Sequence, residues 1–171
     1  QKRFAKLGER DAIYAATLYH ADLRIGQLLD ALDRLKLAED TLVIFSSDNG
    51  PARGAPDAPL TLGYDSATGL GYGIGAAKGI TGGRRAYKGA LLEGGIGVPF
   101  IARWPGKIPA GKVDETSILS AVDLLPTFCE LAGVKLPRSY KPDGMSQVAT
   151  LKGNGNSKRT KPLYWKMGAA W

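Results

Sequence analysis

The sequence predicts an α/β fold, on three observations: one long stretch with helical apolar spacing, two short runs with strand character, and a Gly-rich connection between those runs. The helix is expected from Asp11 to about Leu35, with Asp11 as its N-cap. Its apolar stripe is Tyr14, Leu18, Ala21, Ile25, Leu28, Leu32 and Leu35, in alternating steps of four and three, one face of a helix that packs on a sheet. Gly26 inside it costs about 1 kcal/mol relative to Ala, which burial of the stripe offsets. The first strand is Thr41 to Ser46 and the second Val98 to Trp104, each apolar and bounded by turn residues. Between them, Pro51 to Gly83 reads as a long loop of the kind that borders a functional site. A second helix is expected over Leu124 to Leu131, with Asp123 as a structural N-cap, Pro126 in the first turn and Gly133 as the stop. Leu124, Phe128 and Leu131 share one face of it. Residues Pro137 to Gly155 read as mostly loop, and Leu163 to Lys166 as the start of a further strand.

Composition sets limits on function. Of the 171 residues, 44% are apolar and 23% charged, which is globular rather than disordered. No apolar run approaches the roughly 20 residues that cross a bilayer. One cysteine gives no disulfide framework, so the redox compartment is not legible. The net charge of +7 invites a nucleic-acid partner, but Lys and Arg are scattered rather than striped among aromatics, and a solvated basic face is the better reading. Lys158-Arg159-Thr160-Lys161 reads as an exposed loop. Gly71, Gly73 and Ala76 spell G-x-G-x-x-A, yet no strand precedes them, and Lys78 is followed by Gly79 rather than Ser or Thr. Neither a dinucleotide fingerprint nor a Walker loop is therefore expected.

The stretch richest in chemistry is Ser46-Ser47-Asp48-Asn49-Gly50-Pro51, at the carboxyl end of the first strand, where open α/β sheets place ligand sites. Asp48 and Asn49 offer hard oxygen donors suited to Ca²⁺ or Mg²⁺. Read alone, the same four residues Asp-Asn-Gly-Pro also make an ordinary turn.

A second segment adds to it: Arg84-Arg85-Ala86-Tyr87-Lys88-Gly89-Ala90-Leu91-Leu92-Glu93-Gly94-Gly95-Ile96-Gly97-Val98-Pro99, followed by Trp104-Pro105-Gly106. The order strand, D-N-G, Gly-rich loop, K-G-x-x-x-E-G-G-x-x-V-P, strand, W-P-G resembles the sulfatase family of the alkaline phosphatase superfamily. Asp123-Leu124-Leu125-Pro126-Thr127, Leu131-Ala132-Gly133, Asp143-Gly144 and Pro162-Leu163-Tyr164-Trp165 extend the match over nearly the whole chain. The resemblance implies an alkaline phosphatase-like sandwich with a mixed, mostly parallel sheet flanked by helices. It assigns residues 1–136 to the C-terminal part of the catalytic domain and 137–171 to the start of a smaller subdomain.

The resemblance also implies a chemistry. Asp48 and Asn49 match the family's metal-binding pair, with Ca²⁺ ahead of Mg²⁺, and Lys88 matches the catalytic lysine that contacts the sulfate and assists the leaving oxygen. Arg84, Arg85 and Lys88 would give the site a positive field toward an anionic ester. Glu93 is a structural partner in its turn, with Gly94 and Gly95 giving backbone freedom. At Gly97 the family often carries an arginine of structural role. The formylglycine nucleophile, a second pair of metal-binding aspartates and an active-site histidine have no counterpart here. Cys129 lacks the Pro and Arg of the nucleophile motif and reads as a small core residue, and His20 as a helix-surface residue. The chain is thus expected to be a C-terminal portion of a sulfatase, inactive alone, acting in its parent on sulfate-ester small molecules or sulfated glycans. Periplasmic or secreted localisation goes with the resemblance. A phosphodiesterase or phosphonate monoester hydrolase of the same superfamily, and a non-catalytic sulfated-glycan binder, stand as alternatives.

Overall fold

A computed structural model describes residues 2–52, 79–154 and 159–167. The G-x-G-x-x-A match, Lys78 and most of the 51–83 connection lie outside the described residues. The chain divides into two compact units, one of residues 1–37 and 46–100, the other of 38–45 and 101–171.

The first unit opens with a 3-10 turn, Lys2–Phe4, and the long helix α1, Glu9–Arg34. Gly8 is the N-cap and makes no side-chain bond; Asp11 lies inside the first turn, where its charge faces the positive end of the helix dipole. At the other end Lys36 adopts a left-handed conformation (φ 59), and Leu37 N bonds Leu32 O (2.9 Å) while Lys36 N bonds Asp33 O (3.1 Å). That pair of bonds is a Schellman closure made without glycine. Phe4 meets Tyr19 edge to face (centroids 6.1 Å apart) and Arg3 lies 4.5 Å over the same ring. Much of the expected apolar stripe is exposed: Leu18 is 54% exposed, Leu28 53% and Leu35 59%.

The expected strands are β1, Val43–Ser46, and β2, Phe100–Arg103, hydrogen-bonded to each other. Their register is antiparallel. Trp104 Nε1 donates to Glu39 O (2.6 Å), Ser46 Oγ to Pro99 O (2.9 Å) and Gly50 N to Gly95 O (2.8 Å), so advancing along one segment retreats along the other. Among the described residues the sheet is this antiparallel pair, not the mostly parallel sandwich.

In the second unit, helix α3 (Leu124–Leu131) follows a 3-10 turn, Ala121–Asp123, and the short helix α4 is Val148–Leu151, in a stretch expected to be mostly loop. Asp123 is not a side-chain cap of α3. It closes a capping box with Ser120 one turn earlier, accepting from Ser120 N at 2.9 Å. It is buried, also accepts from Met145 N (2.9 Å), and is ion-paired with Arg159, which the sequence placed in an exposed loop. Thr127 Oγ1 donates to Asp123 O (2.6 Å) and accepts from Gln147 N (3.0 Å), tying α3 to the start of α4. The buried oxygens of Asp123 and Thr127 are paired in this way, which offsets the cost of burying them. Among the described residues, the buried apolar side chains are Ala38 and Val148. Phe128 is exposed and Cys129 half-buried and free, so α3 shows more of its apolar face than expected. His20 is exposed, as read from the sequence. The segment 159–167 forms no continuous strand, only an isolated bridge at Met167. No helix among the described residues is long and apolar enough to cross a membrane.

Candidate active site

The two motif segments meet through their backbones. After β1 the chain bends at Asp48, Asn49 and Gly50, and Gly50 N donates to Gly95 O. Three residues past Asp48, Pro51 O accepts from Lys88 N at 2.9 Å. Gly94 N in turn donates to Arg85 O (2.8 Å), so the Arg84–Lys88 stretch is pinned between the D-N-G turn and helix α2, Glu93–Ile96. The contact leaves no room for side chains: a Cβ on Gly50 would overlap the Gly94 carbonyl oxygen, and one on Gly94 would overlap Ala86 O. Gly50 serves close approach rather than an unusual dihedral, a need the sequence alone does not reveal.

Asp48 is exposed at the turn, and Ser47 Oγ lies 3.4 Å from its Oδ1. Asn49 is half-buried and spends its Nδ2 on Gly50 O (3.0 Å), which leaves its side-chain oxygen as the remaining donor atom for a cation. Lys88 is exposed. The three predicted site residues are therefore held on one pair of locked segments by main-chain bonds. Among the described residues, their side chains form no ion pair with one another, and no group of three or more His, Cys, Asp and Glu gathers as a metal centre. The oxygen donors of Asp48 and Asn49 fit a hard cation in kind, as part of a shell. Ala86, between the arginines and Lys88, has φ 69, a strained value for a residue with a Cβ. A cleft of about 380 Å³ in the second unit, lined by Asp40, Trp104, Lys107 and Glu130 among others, includes none of the motif residues.

With this arrangement in hand, comparison with known proteins is decisive. The Sulfatase family model matches residues 2–134. The chain belongs to the sulfatase family. This sulfatase chain is 37% identical to human steryl-sulfatase over 145 residues, 82% of the chain and 22% of that protein. It is 34% identical to human arylsulfatase A over 152 residues, 89% of the chain and 26% of that protein. It spans about a quarter of the length of these curated relatives. Among solved structures, Ps i-CgsB in complex with k-i-k-neocarrahexaose superposes with a TM-score of 0.69 at 30% identity, covering 91% of the sulfatase chain and 30% of that one. A structure in complex with its substrate D-glucosamine-2-N,6-O-disulfate superposes with a TM-score of 0.58 at 26% identity, covering 91% and 24%.

Proposed function

We propose that this chain carries part of the active site of a sulfuric ester hydrolase. The observation that supports it best is the backbone lock of the D-N-G turn onto the K-G-x-x-x-E-G-G segment, through Gly50 N to Gly95 O and Lys88 N to Pro51 O, within a chain of the sulfatase family. In this reading Asp48 and Asn49 hold a Ca²⁺ ion, which when bound polarises the sulfate ester. Lys88 presents its ammonium to the sulfuryl oxygens and gives a proton to the departing ester oxygen, where charge accumulates in the transition state. Glu93 opens α2 and keeps the turn in shape. The formylglycine nucleophile and the remaining metal ligands come from residues outside these 171, which complete an alkaline phosphatase-like, mostly parallel sandwich. Residues 1–136 then belong to the catalytic domain and 137–171 begin a smaller subdomain. Sulfated glycans or aryl sulfates are the substrates, which the glycan and sulfated-sugar complexes of the structural relatives favour. Periplasmic or secreted localisation follows the family.

The test is a panel of sulfate and phosphate esters given to the full-length parent, with peptide mapping for formylglycine. Sulfate-ester turnover that falls about 10²-fold or more in Lys88→Ala, and no turnover by the 171-residue chain alone, is the expected result. Cleavage restricted to phosphate esters overturns the assignment.

A further inference from the structure

Gly95 has each of its faces in use. Its N–H donates to Leu92 O (2.7 Å) at α2, and its carbonyl accepts from Gly50 N (2.8 Å), the last residue of the D-N-G turn. The direction in which a side chain would leave is filled as well: a Cβ on Gly95 would overlap Ala90 O and lie 2.7 Å from Tyr87 O. Those two carbonyls belong to the first and last residues of one tight turn, Tyr87-Lys88-Gly89-Ala90, closed by Ala90 N to Tyr87 O (3.1 Å). Gly89 is left-handed (φ 87) at its third position, the requirement of a type II turn, and Lys88 is exposed at the second. The turn that presents Lys88 is therefore seated on Gly95.

The same residue thus touches both candidate segments. Its carbonyl holds the D-N-G turn, its Cα carries the Lys88 turn, and Lys88 N to Pro51 O (2.9 Å) joins the two turns directly. These contacts close a circuit of main-chain atoms through a buried residue. Main-chain atoms cannot swing aside as a rotamer does. A methyl on Gly95 must push the Lys88 turn back by about 1 Å or more, and a misplacement of that size at a reacting group costs about 10²-fold in rate.

We propose that Gly95 is a positioning residue: it sets the Lys88 turn at a fixed distance from the Asp48–Asn49 turn, and so sets where the Lys88 ammonium meets a bound sulfate ester. The inference rests on the sulfatase reading of Asp48, Asn49 and Lys88 and adds to it a residue with no side chain of its own. Proton donation to the departing ester oxygen needs a heavy-atom approach of about 2.6–3.2 Å. Attraction of the ester anion tolerates a shifted ammonium better, because charge acts over a longer range. Gly95→Ala is therefore expected to injure leaving-group departure more than sulfate binding.

The experiment is steady-state kinetics of the full-length parent on phenyl sulfate and 4-nitrophenyl sulfate. Nitrophenolate carries its own charge well and depends less on a proton donor. Gly95→Ala should lower kcat/KM about 10²-fold on phenyl sulfate and only about tenfold on the nitrophenyl ester, a skew that Lys88→Ala shares. In the Lys88→Ala background Gly95→Ala should add less than about threefold, because the group it displaces is gone. Equal losses on the two esters, multiplicative losses in the double variant, or wild-type rates in Gly95→Ala overturn the positioning role and leave the sulfatase site standing. Hydrogen exchange on the wild-type parent decides the case in which Gly95→Ala does not fold. The amides of Gly50, Lys88 and Ala90 should then open as one unit, with protection factors within about threefold of one another. Independent exchange of the two turns overturns the proposal. No sulfate-ester turnover by the parent, or turnover that Lys88→Ala leaves unchanged, overturns the site reading and this inference with it.

Discussion

Replacing Gly50 by alanine tests whether close backbone approach assembles the site. A Cβ there collides with the Gly94 carbonyl oxygen and sits 3.0 Å from the Gly95 Cα, all backbone atoms that no rotamer change can move aside. The D-N-G turn must therefore lift off α2. Overpacking of this kind costs about 1–3 kcal/mol. The lifted turn also gives up the Gly50 N to Gly95 O bond, worth about 0.5–1.5 kcal/mol. Gly50→Ala is expected to destabilise the first unit by about 1.5–4.5 kcal/mol. The internal reference is Gly26→Ala, the same chemical change in the interior of α1 with nothing within 4 Å of the new Cβ. That substitution should stabilise by about 1 kcal/mol through helix propensity alone. Urea unfolding followed by far-ultraviolet circular dichroism reads both, and amide shifts of Lys88 and Gly95 report whether the lock has opened. A Gly50→Ala chain within 0.5 kcal/mol of wild type, with those amides unmoved, would refute the close-approach argument.

Two further substitutions probe local strain and local charge. Ala86→Gly should raise stability by about 1 kcal/mol in the same urea assay, because the left-handed conformation at φ 69 costs an L-residue about that much; an unchanged midpoint counts against strain at this position. Asp114 accepts from Ser117 Oγ (2.7 Å), Ser117 N (2.9 Å), Thr116 N (2.9 Å) and Thr116 Oγ1 (3.1 Å), and these bonds, the Ser117 hydroxyl first, hold its carboxyl far below the usual carboxylate range. A depressed folded-state pKa contributes stability that is present above the unfolded value near 3.8 and fades as pH falls below it. Ser117→Ala should move the Asp114 carboxyl upward toward that value in an NMR pH titration and flatten the acid limb of the stability curve. An Asp114 titration indifferent to Ser117 would rule out the hydroxyl as the main cause.

Periodicity and turn chemistry in the sequence were enough to locate α1, both strands and α3 to within a few residues, because those signals are local. The spacing of their motifs singled out Asp48, Asn49 and Lys88 as candidates, and the structure brings their two segments together. Local signals misjudged one cap: Asp11 has the right side chain, yet Gly8 is the N-cap of α1, because the cap is set by where the chain enters the helix; Asp123 is the N-cap residue of α3, as expected, but its carboxylate serves the turn before it. They also could not show what buries a face. The stripe of α1 has the spacing of a buried surface, and it stays exposed because apolar spacing names a need and not a partner. The antiparallel register, the ion pair of Asp123 with Arg159 across 36 positions, and the seating of the Lys88 turn on Gly95 were decided by tertiary structure alone. Each depends on which distant segments meet at a few ångströms, and a glycine that yields its space to a neighbour looks in sequence like any other glycine.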